Sequence, residues 1–573
     1  MEDKVEALDR TLHAVMGQLT RGISPAAMML AWSDWAIHLA AQPVRSAQVL
    51  VSGPLTRAVE ATGQAFQALP PREPPTPDSH EDDRRLADPS WDAWPFTLYR
   101  QAFRTSGQWL RQLTEGVPGV ERHHGQVVAF AARQLHEICS PANWPATHPL
   151  VLQRTAATGG MNLLQGARNF AEDLQRSLQR LPPKAAEDFV PGRQVAITPG
   201  KVVLRNHLME LIQYAPTTAK VHPEPLLIMS AWIMKYYILD LSPHNSLIRY
   251  LVDKGHTVFA ISWRNPDSDD RDLGINDYLA QGFMASLDAI NAIVPRRRVH
   301  AVGYCLGGTL LAIGAAAMAR DGDDRLATVS LLAAQTDFTE PGELGLFIDE
   351  SQLSFMEDLM ARQGYLDSSQ MAGAFNLLRA IDLIWSPMVQ NYLLGERSPM
   401  TDLMAWNTDG TRMPYRMHAD YLRSLFLDNA LARGQYLVNG RPVSLGDIEA
   451  PIFAVATQTD HVAPWRSVYK LNLLCDTEIS FVLTNGGHNA GIVSEPGHAH
   501  RHCRVLHRAR NAPYVSPDEY VARAEHVEGS WWPALQAWLA ARSGPRCKPP
   551  RMGHAELGYA PLCDAPGTYV MAH

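Results

Sequence analysis

The sequence predicts an α/β fold: a mostly parallel sheet with helices on both faces, preceded by a helical region. Two observations predict it. From residue 225 onward, short apolar runs, several rich in Val and Ile, alternate with helix-length segments. A glycine-framed turn, "GYCLGG" at 303–308, joins one such run to an Ala-rich stretch. Composition agrees with a sizeable core, since the 573 residues are 46% hydrophobic and only 19% charged. The net charge of -8 offers no basic face, so nucleic-acid binding is not expected.

The chain begins MEDKVEALDR, which is charged and lacks the apolar centre of a secretory signal. No apolar run approaches the ~18 residues of a membrane span, so no transmembrane segment and a cytoplasmic location are expected. Residues 1–186 read as a helical domain. In "AAMMLAWSDWAIHLAAQPV", Met28, Trp32, Trp35 or Ala36, and Leu39 share one helix face, and Pro43 stops the pattern. That helix either packs on its own protein or seeks a surface. "LPPREPPTPDSHEDDRR" (69–85) reads as an exposed linker, and "LPPKAAEDFVPG" (181–192) marks the domain boundary.

The domain from 187 to 573 carries the alternation. "PLLIMSAWI" (225–233), "TVFAISW" (257–263), "VHAVGY" (299–304), "ATVSLLAA" (327–334), "IFAVATQ" (452–458) and "EISFVLTNG" (478–486) are the strand candidates. Between the fourth and fifth lies a long stretch with helical patterns only, including "ESQLSFMEDLMARQ" and "GAFNLLRAIDLIW". An insertion of that size, about 335–430, reads as a helical lid over an active site.

Strand, tight Gly-x-Cys-x-Gly turn and helix together match the nucleophile elbow of an α/β-hydrolase core, with Cys305 where serine is usual. Cys305 would project at the C-terminal edge of the sheet, at a helix N-terminus whose partial charge favours an anion. The alternative is a buried thiol in a Gly-rich helix start. In this fold the acid and the histidine follow the nucleophile in that order. Asp460 stands just past the fifth run in "TQTDHVAPW", and His488 just past the sixth in "NGGHNAG". Singly, Asp460 reads as a helix cap and His488 as a loop histidine. Their order and placement favour a catalytic set. His461 is a rival base, ranked lower because neighbours in an extended segment point apart.

Other candidates read as structural. The six cysteines show no CxxC pair and are expected as reduced thiols. "GHAHRHCRVLHR" (497–508) offers His498, His500, His502, Cys503 and His507, but reads as a solvated loop, and no metal is expected. "PRRRVH" (295–300) precedes the elbow strand, at the opposite sheet edge, and reads as a solvated basic turn.

Nearly the whole chain resembles the polyhydroxyalkanoate synthases, the bacterial polyester polymerases, and most closely their class I type. "TPGKVVLRNHLMELIQY" (198–214), "KYYILDLSPHNSL" (235–247), "GHTVFAISWRNPD" (255–267), "GYCLGGT" (303–309), "DHVAPW" (460–465) and "GSWWPALQAWL" (529–539) carry the resemblance. It implies that Cys305 is the nucleophile, His488 its activating base and Asp460 the third catalytic residue. The substrate it implies is a 3-hydroxyacyl-CoA, (R)-3-hydroxybutyryl-CoA or a relative, polymerised with release of CoA. CoA is the leaving group, and no further cofactor is implied. A homodimer at a cytoplasmic polyester granule is implied too, with the helical domain serving granule association or dimerisation. One departure is Met234, where the family usually has Asn. Backbone N–H groups of Leu306 and Ile233 are the expected oxyanion donors, and they survive any side chain.

Such a reaction gives the cysteine a reason. A thioester substrate exchanged onto a thiolate remains a thioester and keeps its activation. Transfer to a hydroxyl then runs downhill to an oxyester. Asp460 either orients His488 or helps to deprotonate the incoming hydroxyl. The rival on the same fold is a Cys-nucleophile hydrolase of thioesterase, polyester depolymerase or dienelactone-hydrolase type.

Overall fold

The computed structural model describes residues 20, 22–51 and 83–572. These form two compact units, one of residues 184–371 and 400–572, the other of the described residues between 20 and 183 together with 372–399. The first break falls inside the proline-rich stretch that the sequence marks at 181–192.

The helical unit contains α1 (Pro25–Ala40), α2 (Pro43–Val51), α3 (Phe96–Thr114), α4 (Arg122–Ile138) and α5 (Met161–Leu178). Ser24 caps α1 and Pro25 opens it, an ordinary N-terminus. Its inner face packs within its own unit. The Trp35 indole donates to the Leu113 carbonyl at 3.2 Å, and Asp34 meets His124 Nδ1 of α4 at 2.8 Å. Of the two readings of this helix, packing accounts for Trp35, while Met29, Leu30 and Ile37 stay exposed. Pro43 does end the first helix, and it also opens the second.

The proposed linker lies largely outside the described residues. Its last three residues depart from that reading. Arg85 is buried and donates to Asp83, Asn143 and Glu137, the last two at 2.8 and 2.5 Å. A charge run reads as solvated unless distant partners are known, and Glu137 lies far along the chain.

Residues 372–399, which the sequence places in the insertion of the second domain, cluster with the helical unit. The reason is polar as much as apolar. Residues Val389–Leu393 form a π-helical turn, and α5 supplies donors to its carbonyls: Asn162 to Leu393 at 2.8 Å and Asn169 to Asn391 at 2.9 Å. Gly166 of α5 admits the Tyr392 backbone so closely that an added Cβ would lie 1.8 Å from its oxygen.

The other unit is built on an eleven-stranded sheet. Its strands are β1 (Gly200–Arg205), β2 (Met209–Tyr214), β3 (Leu226–Met229), β4 (Val258–Trp263), β5 (Val299–Tyr304), β6 (Leu326–Leu332), β7 (Ile452–Thr457), β8 (Ile479–Thr484), β9 (His502–Arg508), β10 (Glu525–Glu528) and β11 (Cys563–Asp564), and helix α6 (Leu306–Arg320) follows β5. The order across the sheet is β10-β9-β8-β7-β6-β5-β3-β4-β2-β1-β11. Every pairing from β4 through β3, β5, β6 and β7 to β8 is parallel, and those six strands are the six apolar runs. The outer strands are antiparallel. This is the α/β-hydrolase arrangement, with a hydrophobic core on each face of the sheet.

The antiparallel strands carry no continuous apolar run. In β2, Glu210 and Gln213 are buried yet satisfied by hydrogen bonds, Glu210 from Thr568 and Tyr569 and Gln213 from Gly553. Strand β9 corrects the loop reading of 497–508: His502 to Arg508 pair with β8 and β10. His502, Arg504 and Arg508 share one face of this strand near the sheet edge, and His507 lies on the other face with Cys503 and Val505. Among the described residues, no helix is long and apolar enough to cross a membrane.

Candidate active site

The sheet delivers three of the singled-out residues to the same edge. Cys305 directly follows β5 with φ 52° and ψ -124°. This is a strained backbone for a residue with a Cβ, and such strain gathers at functional turns. Two glycines make the turn possible. A Cβ on Gly303 would lie 2.5 Å from Gly308 Cα, and one on Gly307 would lie 2.3 Å from the Met229 oxygen. The elbow therefore closes on itself and on the end of β3. The Cys305 N–H donates to Leu332 of β6 at 2.9 Å, which ties the turn to the sheet. The thiol is partly exposed and α6 begins at the next residue, Leu306. The N–H groups of a helix's first turn have no acceptor within the helix.

Asp460 sits just past β7, buried, with both oxygens occupied. Oδ1 accepts from the Val462 and Ala463 N–H groups at 2.9 and 2.8 Å. Oδ2 accepts from the Thr457 hydroxyl at 2.9 Å and meets His488 Nδ1 at 2.8 Å. Burial alone would raise its pKa, but the charge and hydrogen bond of His488 and the two backbone donors hold it below the usual carboxylate value.

His488 lies just past β8, only 8% exposed. Burial disfavours its charged form, yet the charges of Asp460 and Cys305 prevail and raise its pKa well above the ordinary imidazole value. Nδ1 is committed to Asp460, and Nε2 has no hydrogen bond of full geometry. An imidazole oriented by a buried carboxylate, with its other nitrogen left for the neighbouring Cys305 thiol, can take and return a proton at that thiol. The lower-ranked His461 takes the Glu343 N–H on its carbonyl at 3.2 Å.

Ile233, the second proposed backbone donor, is half-buried in the segment that leaves β3. Sequence reasoning passed over Tyr304 and Asn489, which flank Cys305 and His488. The Tyr304 ring lies 5.7 Å from the His488 ring, and its hydroxyl donates to Asn489 Oδ1 at 2.6 Å. Asn489 Nδ2 in turn reaches Asn407 at 3.1 Å. Being next to two site residues is the only signal the sequence held for this link.

Comparison with known proteins supplies the context. Residues 82–251 match the family profile described as "Poly-beta-hydroxybutyrate polymerase (PhaC) N-terminus". Residues 3–45 match "Poly-beta-hydroxybutyrate polymerase N terminal", and residues 225–495 match "alpha/beta hydrolase fold". The chain is 40% identical to a "Poly(3-hydroxyalkanoate) polymerase" of Methylorubrum extorquens, covering 85% of this chain and 80% of that protein. It is 39% identical to a "Poly(3-hydroxyalkanoate) polymerase subunit PhaC" of Rhizobium meliloti (85% and 79%), and 35% identical to one of Cupriavidus necator (86% and 83%).

Proposed function

The chain belongs to the poly(3-hydroxyalkanoate) polymerase family, and from that premise we propose how its own residues carry out polyester synthesis. It is an acyltransferase that builds polyester. The substrate we assign is a 3-hydroxyacyl-CoA, (R)-3-hydroxybutyryl-CoA or a close relative. The observation that carries the residue roles is the His488–Asp460 pair, held at 2.8 Å at the same sheet edge as the strained Cys305 turn.

His488 Nε2 takes the Cys305 proton, and the thiolate attacks the thioester carbonyl. The charge that develops on the carbonyl oxygen falls to the N–H groups of Leu306 and Ile233. CoA leaves with the proton that His488 returns, and Cys305 holds the acyl group as a thioester. The hydroxyl of a growing chain or a second monomer then attacks, His488 takes its proton, and an oxyester forms as the thiol is released. Asp460 orients His488: each of its oxygens already accepts two hydrogen bonds, and so neither is open to an incoming hydroxyl. The proposed reaction needs no metal and no cofactor beyond the CoA of its substrate. In this reading the insertion keeps water from the acyl thioester. The helical unit serves granule association or dimerisation in the cytoplasm.

Cys305→Ser tests the nucleophile and the thioester together. Acylation should fall by orders of magnitude, because a serine hydroxyl is the weaker nucleophile. Residual turnover should shift from polymer toward free 3-hydroxy acid, since an oxyester intermediate has lost its drive toward another oxyester. CoA, polymer and free acid are measured together. Polymerisation at the wild-type rate and yield would overturn the assignment, and free acid from the wild-type enzyme in place of polymer would favour the hydrolase.

A further inference from the structure

Residues 406–412 of the insertion run alongside the segment that carries Ile233. The Thr411 hydroxyl donates to the Trp232 carbonyl at 2.6 Å, and the Thr411 N–H donates to the Ile233 carbonyl at 3.0 Å. Met234 and Gly410 form an isolated antiparallel bridge between the two segments. The Trp406 indole donates to the Lys235 carbonyl at 2.8 Å. Thr411 is 1% exposed and Trp232 is 2% exposed, so water does not compete for the first of these bonds.

The Trp232 carbonyl and the Ile233 N–H belong to one peptide unit. That unit is planar and trans, so its C=O and N–H point in opposite directions. A donor that fixes the carbonyl therefore fixes the direction of the N–H. Hydrogen bonding at the carbonyl also polarises the unit and makes its N–H a stronger donor. Among the described residues, the Ile233 N–H has no acceptor of its own.

We propose that Thr411 is a positioning residue for acyl transfer: its hydroxyl, delivered by the insertion, aims and polarises the Ile233 N–H toward the oxyanion. The inference rests on the proposed reaction and on Ile233 as a donor. It makes the insertion a structural part of the oxyanion site as well as a cover.

The test uses the full chain with Thr411→Val, which keeps the shape and removes the hydroxyl, and Thr411→Ser, which keeps the hydroxyl. Single-turnover CoA release from 3-hydroxybutyryl-CoA passes through an oxyanion, whereas alkylation of Cys305 by iodoacetamide does not. Thr411→Val should release CoA ~10- to 100-fold more slowly, less than the effect of deleting an oxyanion donor outright. Its alkylation rate and the pH profile of alkylation should match wild type, and Thr411→Ser should recover most of the lost rate. Wild-type acylation by Thr411→Val overturns the inference. So does a parallel fall in acylation and alkylation, which marks a merely structural role. Cys305→Ala separates the underlying reading: CoA release by that variant at the wild-type rate sinks the proposed reaction itself.

Discussion

Buried histidines stand at both ends of the same strands, and their surroundings drive them in opposite directions. At the C-terminal ends, His488 meets the Asp460 carboxylate at 2.8 Å and its pKa rises well above the ordinary value. At the N-terminal ends, His222 and His256 precede β3 and β4, and His300 lies in β5. The His222 and His256 rings stack at 4.6 Å. His300 bonds to the hydroxyls of Thr328 and Ser543 at 2.8 and 3.0 Å. Arg546 bonds His222 at 3.4 Å and Arg542 acts on His300, both disfavouring a further cation, while the pull of the Glu224 carboxylate on His222 is too weak to offset burial. Burial pushes His256 down to about 3 and His300 to about 4, and their histidine neighbours push the same way. Burial disfavours the cation at both ends. A carboxylate reverses that at one end only, which separates a histidine able to hold a proton during chemistry from histidines that serve as neutral packing.

Substitutions can break or sharpen that contrast, and the largest effect belongs to the C-terminal edge. His488→Gln should lower single-turnover CoA release on the order of 10⁴-fold, because Cys305 loses its only proposed base. A variant that still acylates rapidly would place the base elsewhere. Asp460→Asn leaves the imidazole in place but removes the charge that raises its proton affinity. Both first acylation and elongation should slow, by roughly 10²-fold, since a thiol needs less help than a serine hydroxyl. Burst-size CoA release without polymer would instead return Asp460 to the incoming hydroxyl.

The neutral cluster should show itself in acid stability. His300 is fully buried and binds its proton near 4 when folded, against ~6.5 unfolded. Between those values the unfolded chain holds a proton that the folded chain lacks, so stability falls as pH falls, by about 1.4 kcal/mol per unit. His300→Gln should flatten the decline in urea stability between ~pH 6.5 and about 4 and leave turnover at neutral pH unchanged. A wild-type slope in that variant contradicts the burial argument. His488 has the opposite sign: its contribution is fully present below ~pH 6.5 and is lost as pH rises through its raised folded value. The smallest effect is expected of Tyr304→Phe, which removes one hydrogen bond to Asn489 and should slow CoA release about threefold to tenfold. A loss as large as that of His488→Gln would give Tyr304 a direct part in the chemistry.

The two ends also differed in legibility. The C-terminal edge was readable because its residues sit in local frames: a glycine-framed turn after one apolar run, then Asp and His just past two others. The N-terminal cluster left no such mark, since His222, His256 and His300 meet only when three strands align. The antiparallel strands escaped for a related reason. Glu210, Gln213 and the polar residues of β9 interrupt any apolar run, and only distant partners such as Thr568, Gly553 and β10 make them acceptable inside or beside a sheet.

By itself the sequence determined the six parallel strands, the elbow and the order Cys305–Asp460–His488, and it marked a domain boundary at 181–192. Each of these is written in short-range periodicity or in residues adjacent along the chain. The tertiary structure alone decided that residues 372–399 cluster with the helical unit, that both oxygens of Asp460 are occupied, and that Thr411 grips the peptide carrying the Ile233 N–H. These outcomes depend on hydrogen bonds between groups far apart in the chain. A buried polar group must find its partner wherever the fold places one, and no local pattern records where that will be.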